Sequence, residues 1–162
     1  MKSFKLNLFL LSFVIVASMS LVACGGDDGD DNGNDTPPED TTDPVISLTS
    51  PTTGDSFARE TGVILINGTI SDDQGLETCK VSVAYSQKSA SSELKSIDDP
   101  VPFDRGPVEY SDISGKEYSF TDEDPFGFVT YDATLGEYVF TITVEDTSGN
   151  TATEDITINI TE

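Results

Sequence analysis

The chain has 162 residues, with 30 aspartates and glutamates against 8 lysines and arginines, and its formal net charge is -22. Such acidity excludes nucleic-acid binding, because phosphate backbones are held by lysine and arginine, and it opposes adsorption to anionic lipid. There is no histidine, which excludes serine–histidine and cysteine–histidine nucleophile systems and histidine-ligated zinc or iron.

Lys2 and Lys5 open a short positive region, Leu6 to Ala17 is mainly Leu, Phe, Val and Ile, and Ala17, Ser18 and Ser20 supply small residues ahead of Cys24. This order describes an export signal over residues 1–23. Its uninterrupted apolar part falls short of the ~20 residues that a permanent span needs. Leu21-Val22-Ala23-Cys24 resembles the lipobox of bacterial lipoproteins. The resemblance implies cleavage before Cys24 and a diacylglyceryl group on its thiol, with palmitate among the acyl chains. Two or three chains on one cysteine anchor stably, whereas a single chain is marginal. The competing reading pairs Cys24 with Cys79 in a disulfide.

After Cys24 the composition changes to Gly, Asp, Asn, Thr, Pro and Glu as far as Asp43. No residue there can nucleate a core, so 24–43 reads as the lipidated cysteine and a disordered acidic linker. As a flexible coil it separates its ends by about 24 Å, with a stretched limit of about 60 Å. Acidic residues directly after a lipidated cysteine resemble the signals that carry lipoproteins to the outer face of the outer membrane. The expected location is therefore the bacterial cell envelope, lipid-anchored in the outer membrane and exposed at the surface.

From Pro44 the apolar period becomes two, and residues 44–162 read as one domain. Val45 to Thr49 places Ile46 and Leu48 inward; Val63 to Ile70 does the same for Ile64, Ile66 and Ile70. Leu76 to Tyr85 puts Cys79, Val81, Val83 and Tyr85 on one face. There a lone thiol behaves as a small hydrophobe. Ser86 to Gly115 is a polar insertion with three prolines and at most short strands near Val101–Phe103 and Val108–Tyr110. Glu117 to Thr121 follows with Tyr118 and Phe120 inward. Tyr138, Phe140, Ile142 and Val144 alternate next, and Ile156, Ile158 and Ile160 close the series. Turn signals separate the runs at Pro51–Gly54, Asp72–Gly75 and Thr147–Asn150. The expected fold is all-β: an antiparallel β-sandwich of about seven strands with one long insertion.

Three stretches together resemble bacterial Ig-like domains of the hyalin-repeat and cadherin-like kind. They are "ISDDQGLETCKVSV", Leu135-Gly136-Glu137-Tyr138, and the D-x-x-G-N turn Asp146-Thr147-Ser148-Gly149-Asn150. The resemblance implies an Ig-like sandwich in which Tyr138 forms a tyrosine corner, its phenol bonded to backbone across the connection between sheets. The plan of lipobox, acidic spacer and one Ig-like domain also resembles a family of lipoproteins of unknown function.

In such a sandwich the loops at one end bring together Asp43, Asp72, Asp73, Glu145, Asp146 and Asn150. Calcium takes six to eight oxygen ligands from groups of this kind and is the candidate ion. The alternative is that these residues are simple turn formers. Phe126, Phe128 and Tyr131 lie in a segment broken by Pro125 and Gly127, where they form either an exposed platform for a partner or a cap on the core. No carboxylate pair is marked out for catalysis. The expected protein is a non-catalytic surface module for recognition, adhesion or complex assembly, tied to the membrane by lipid, with a protein or glycan partner. The alternatives are a glycan-binding accessory lipoprotein of an outer-membrane uptake system and a calcium-stiffened spacer.

Overall fold

A computed structural model describes residues 39–86 and 99–162. The export signal, Cys24 and the linker up to residue 38 lie outside the described residues, as do residues 87–98 of the insertion. Among the described residues there are eight strands: β1 (Val45–Ser50), β2 (Ser56–Ala58), β3 (Ile66–Ser71), β4 (Leu76–Tyr85), β5 (Arg105–Tyr110), β6 (Glu117–Glu123), β7 (Gly136–Asp146) and β8 (Thr151–Thr161). They form a three-stranded sheet in the order β1-β3-β6 and a five-stranded sheet in the order β2-β8-β7-β4-β5.

The two sheets enclose one core, because every long strand carries its apolar residues at alternate positions. Tyr138, Phe140, Ile142 and Val144 of β7 are buried, as are Ile156, Ile158 and Ile160 of β8 and Cys79, Val81 and Val83 of β4. Ile66, Ile70 and Phe120 close the core from the smaller sheet, with Ile46 and Leu48 packed beside them. β4 buries both Leu76 and Cys79, which a strict period of two forbids. A register shift between Leu76 and Thr78 against β7 reconciles them, as a bulge turns successive side chains to the same face. Cys79 is a free, buried thiol whose pKa burial pushes up to about 12.

Two features depart from the sequence expectation. Among its described residues the insertion yields one true strand, β5, where Val108–Tyr110 was expected, whereas Val101 makes only an isolated bridge to Ala133. The added strand is β2, which pairs parallel to β8 and so leaves the sheet of β1. The Pro51–Asp55 turn makes the crossing. The Asp55 carboxylate accepts from the Thr52 N–H at 2.7 Å and from its hydroxyl at 3.0 Å, and the Gly54 N–H reaches the Thr157 carbonyl at 2.8 Å. β2 and β5 are the margins of the larger sheet. The first is three residues long and the second carries Pro107, which has no N–H to offer a further strand.

Where β1 meets β3 the sheets' regularity breaks at Gly68, which has φ of +142°. A Cβ there would lie 2.4 Å from the Ser47 carbonyl oxygen and 2.7 Å from the Leu48 Cα. Only glycine fits both the conformation and the space.

Tyr138 forms the corner that the sequence suggested. Its hydroxyl donates to the Thr134 carbonyl at 2.7 Å and accepts from the Phe103 N–H at 3.1 Å. The ring of Tyr85 packs 5.0 Å from it, and the Arg105 guanidinium lies 4.1 Å over the Phe103 ring. This one buried phenol thereby ties the insertion's return path to the start of β7.

Candidate functional site

Three connections and the chain's approach to β1 interlock at one end of the sandwich. The β3–β4 turn begins at Asp72, whose Oδ1 accepts from the backbone N–H groups of Gln74 at 2.8 Å and Gly75 at 2.7 Å. Aspartate favours such turns because its short side chain reaches backbone two residues on. Asp72 N–H and Leu76 N–H reach the Lys116 and Gly115 carbonyls at 2.9 and 2.8 Å, and Thr147 N–H reaches the Gly75 carbonyl at 2.8 Å. The β3–β4 turn is thus fixed to the stretch before β6 and to the β7–β8 turn.

The β7–β8 turn is organised by Asp146, which is fully buried. Its Oδ1 accepts from the N–H groups of Ser148 and Asn150, both at 2.8 Å, and its Oδ2 accepts from the Asn150 amide at 2.8 Å. Burial works against ionisation of this carboxyl. The bonds from the Asn150 side chain and from the backbone of Asn150, Ser148 and Gly149 outweigh it, and hold the carboxyl below the usual carboxylate range. The Asn150 amide also reaches the Asp40 carbonyl at 3.3 Å, which draws the chain ahead of β1 onto this end.

Asp40 therefore stands where Asp43 was expected. Carboxylate oxygens of Asp40, Asp72 and Asp73 all lie within 4.8 Å of one another, while Asp43 is exposed. Thr42 N–H bonds Asp40 Oδ1 at 2.9 Å and so folds the backbone to turn that side chain inward. Of the six residues picked from the sequence, Asp72 and Asp73 meet in this group. Asp146 and Asn150 instead brace the loop beside it. Glu145 follows the outward direction of β7, since neighbours in a strand point to opposite faces and Asp146 points in.

The second oxygens of Asp40 and Asp72 are buried and accept no hydrogen bond, and Asp72 as a residue is only 8% exposed. A buried acceptor without a partner costs about 1–3 kcal/mol. The Lys116 ammonium reaches this turn, where it donates to the Asp73 carbonyl. The ion pairs among the described residues are Arg59–Glu162 and Lys80–Glu109, neither of which involves these carboxylates.

The opposite end has a different character. β7 runs its length between the two, about 35 Å for 11 residues. Phe126 turns inward and meets Phe140 edge-on, with ring centroids 6.3 Å apart. Phe128 and Tyr131 turn out, 64% and 73% exposed, with Val101 and Leu135 also exposed. The backbone beneath them is fixed: Glu60 and Val129 bond at 2.8 Å, Val129 and Gly62 at 2.9 Å, and Val101 bonds both Asp132 and Thr134. The aromatic segment therefore divides, one ring capping the core and two facing solvent.

At the side of the sandwich, between β5 and β6, lies a cleft of about 280 Å³ lined by Tyr110, Tyr118, Glu109, Asp112 and Glu123 among others. Both tyrosines meet Phe120 edge-on, at 5.5 and 5.0 Å. Burial, then the nearby Glu123 carboxylate, pushes the Tyr110 phenol up to about 12. The sequence marks Tyr118 as an inward strand residue and offers no site here, because Tyr110 and Tyr118 belong to strands whose facing edges only the topology brings together.

The described residues form an all-β sandwich with a braced acidic end and an exposed aromatic end. The sequence profile of DUF4625, a domain of unknown function, matches residues 23–161, and the chain belongs to this family. No curated protein matches the chain.

Proposed function

We propose that the chain is a lipid-anchored, non-catalytic Ig-like module of the bacterial outer membrane, exposed at the surface, which offers its far end for recognition, adhesion or complex assembly. The observation that carries this reading is the polarity of the sandwich. The chain reaches the domain at the acidic end, by Asp40, whereas the exposed Phe128 and Tyr131 stand at the other. A tether at one end and apolar rings on a fixed backbone at the other suit a displayed binding surface. The Ig-like assignment is supported by the passage of β1 and β2 between sheets and by the Tyr138 corner.

In the native host, Cys24→Ala should release the protein from the membrane fraction, and mass spectrometry should find acyl chains on Cys24 of the parent. Phe128→Ser/Tyr131→Ser should leave the melting temperature within about 2 °C and abolish proximity crosslinks made from position 130 on intact cells. Unchanged crosslinks, or an unmodified Cys24, would count against the reading.

A glycan-binding reading is favoured by the cleft between β5 and β6, where tyrosine rings and carboxylates offer a stacking face and hydroxyl acceptors. Glycan-array binding lost in Tyr118→Ala but kept in Phe128→Ser/Tyr131→Ser would select it.

A further inference from the structure

We infer that Asp40, Asp72 and Asp73 form a divalent-cation site, best matched to calcium, which clamps the chain ahead of β1 onto the β3–β4 turn. Three carboxylate oxygens within 4.8 Å of one another can all touch one ion bound at 2.3–2.6 Å. The donors are oxygens alone, the hard ligands that calcium and magnesium prefer over the transition metals. The grouping by itself would prove little in so acidic a chain. The second observation is the state of Asp72: more than nine-tenths buried, with Oδ1 already committed to Gln74 and Gly75 and Oδ2 buried with no partner.

Asp40 repeats the pattern from the other side, with Oδ1 held by Thr42 N–H and Oδ2 buried and unmatched. Each turn thus uses one carboxylate oxygen to shape itself and leaves the second for a shared occupant. Asp73, exposed, adds a third charge from the open side, through which waters can complete the six to eight ligands of calcium. Asp146 and Asn150 position the site without entering it, since the Asn150 amide holds the Asp40 carbonyl.

The inference is independent of what the far end binds. The ion joins residues 40 and 72, which are distant in sequence, so it closes a loop that includes β1 to β3.

Isothermal titration of the full chain in non-ionic detergent and chelator-treated buffer with 0.15 M KCl tests it, using CaCl2 and, separately, MgCl2. The expected result is one saturable calcium site per chain. At a hundredfold excess over Kd, calcium should raise the melting temperature by about 5–10 °C. Asp72→Asn keeps the oxygen that serves Gln74 and Gly75 but replaces the unmatched one with an amide. It should weaken calcium at least tenfold while circular dichroism remains that of the parent. Asp73→Asn, at an exposed position, should weaken calcium in the same direction; Glu137→Gln, at the far end, should not. Calcium heat that does not saturate, or that is equal in the parent, Asp72→Asn and Glu137→Gln, would show diffuse screening and overturn the site. Tighter binding of magnesium than calcium would keep the site and overturn the choice of ion.

Discussion

Asp146 shows how a single side chain can specify a turn. All of its described bonds are local, yet they bring Asn150 to the backbone of residue 40. Its folded-state pKa is lowered, so its ionised form stabilises the fold. That contribution is complete above the unfolded aspartate value of about 3.9 and is lost as the pH falls through the folded value. Asp146→Asn should therefore melt below the parent at pH 7, and the gap should close as thermal scans are taken at ever lower pH beneath the ordinary aspartate range. A gap that stays constant with pH would mean that shape rather than charge is what matters.

Tyr138→Phe removes a hydroxyl that satisfies one buried backbone N–H, of Phe103, and one part-buried carbonyl, of Thr134. It should lower stability by about 1–3 kcal/mol in urea titrations. In the Cys24→Ala chain the buried Cys79 thiol should resist a thiol reagent at pH 8 until urea unfolds it, because its pKa of about 12 leaves almost no thiolate.

For the elements, legibility in the sequence followed strand length and alternation. β4, β7 and β8, ten or eleven residues each, were readable because one face of each is buried and a slip of one residue would expose it. β2 was not readable. Ser56-Phe57-Ala58 is too short to show a period, and its parallel partner lies about a hundred residues away. The acidic end was legible only in part, for a similar reason. Asp72, Asp73, Asp146 and Asn150 announce themselves as turn residues, whereas Asp40 sits in a spacer-like composition and gains its role from an amide 110 residues on. The tyrosine-lined cleft had no local signature at all, since two strand edges from different sheets create it. Gly68 belongs to this scale too. Gly68→Ala should cost about 2–4 kcal/mol, measured by chemical denaturation, because the methyl meets backbone on β1 that cannot move without parting the pair. A loss below 0.5 kcal/mol on the order of ordinary surface changes would show that β1 is loosely held.

Over the whole molecule the dominant quantity is the net charge of -22. Like charges repel through solvent over roughly 8 Å at physiological salt, so screening should help the compact state. The melting temperature should rise between 10 and 150 mM KCl and then level off, and Asp72→Asn should retain this response. If monovalent salt had no effect, the acidity would be borne without strain by the folded state.

The margins of the larger sheet carry a consequence for crowding. Proteins at high concentration collide side by side, and unsatisfied strand borders invite them to zip into ribbons and fibrils. Here one border ends in the three-residue β2 and the other is interrupted by Pro107. Neither gives a neighbour a continuous ladder to copy. Along these two borders, encounters in dense packing should be governed by side chains and not by backbone.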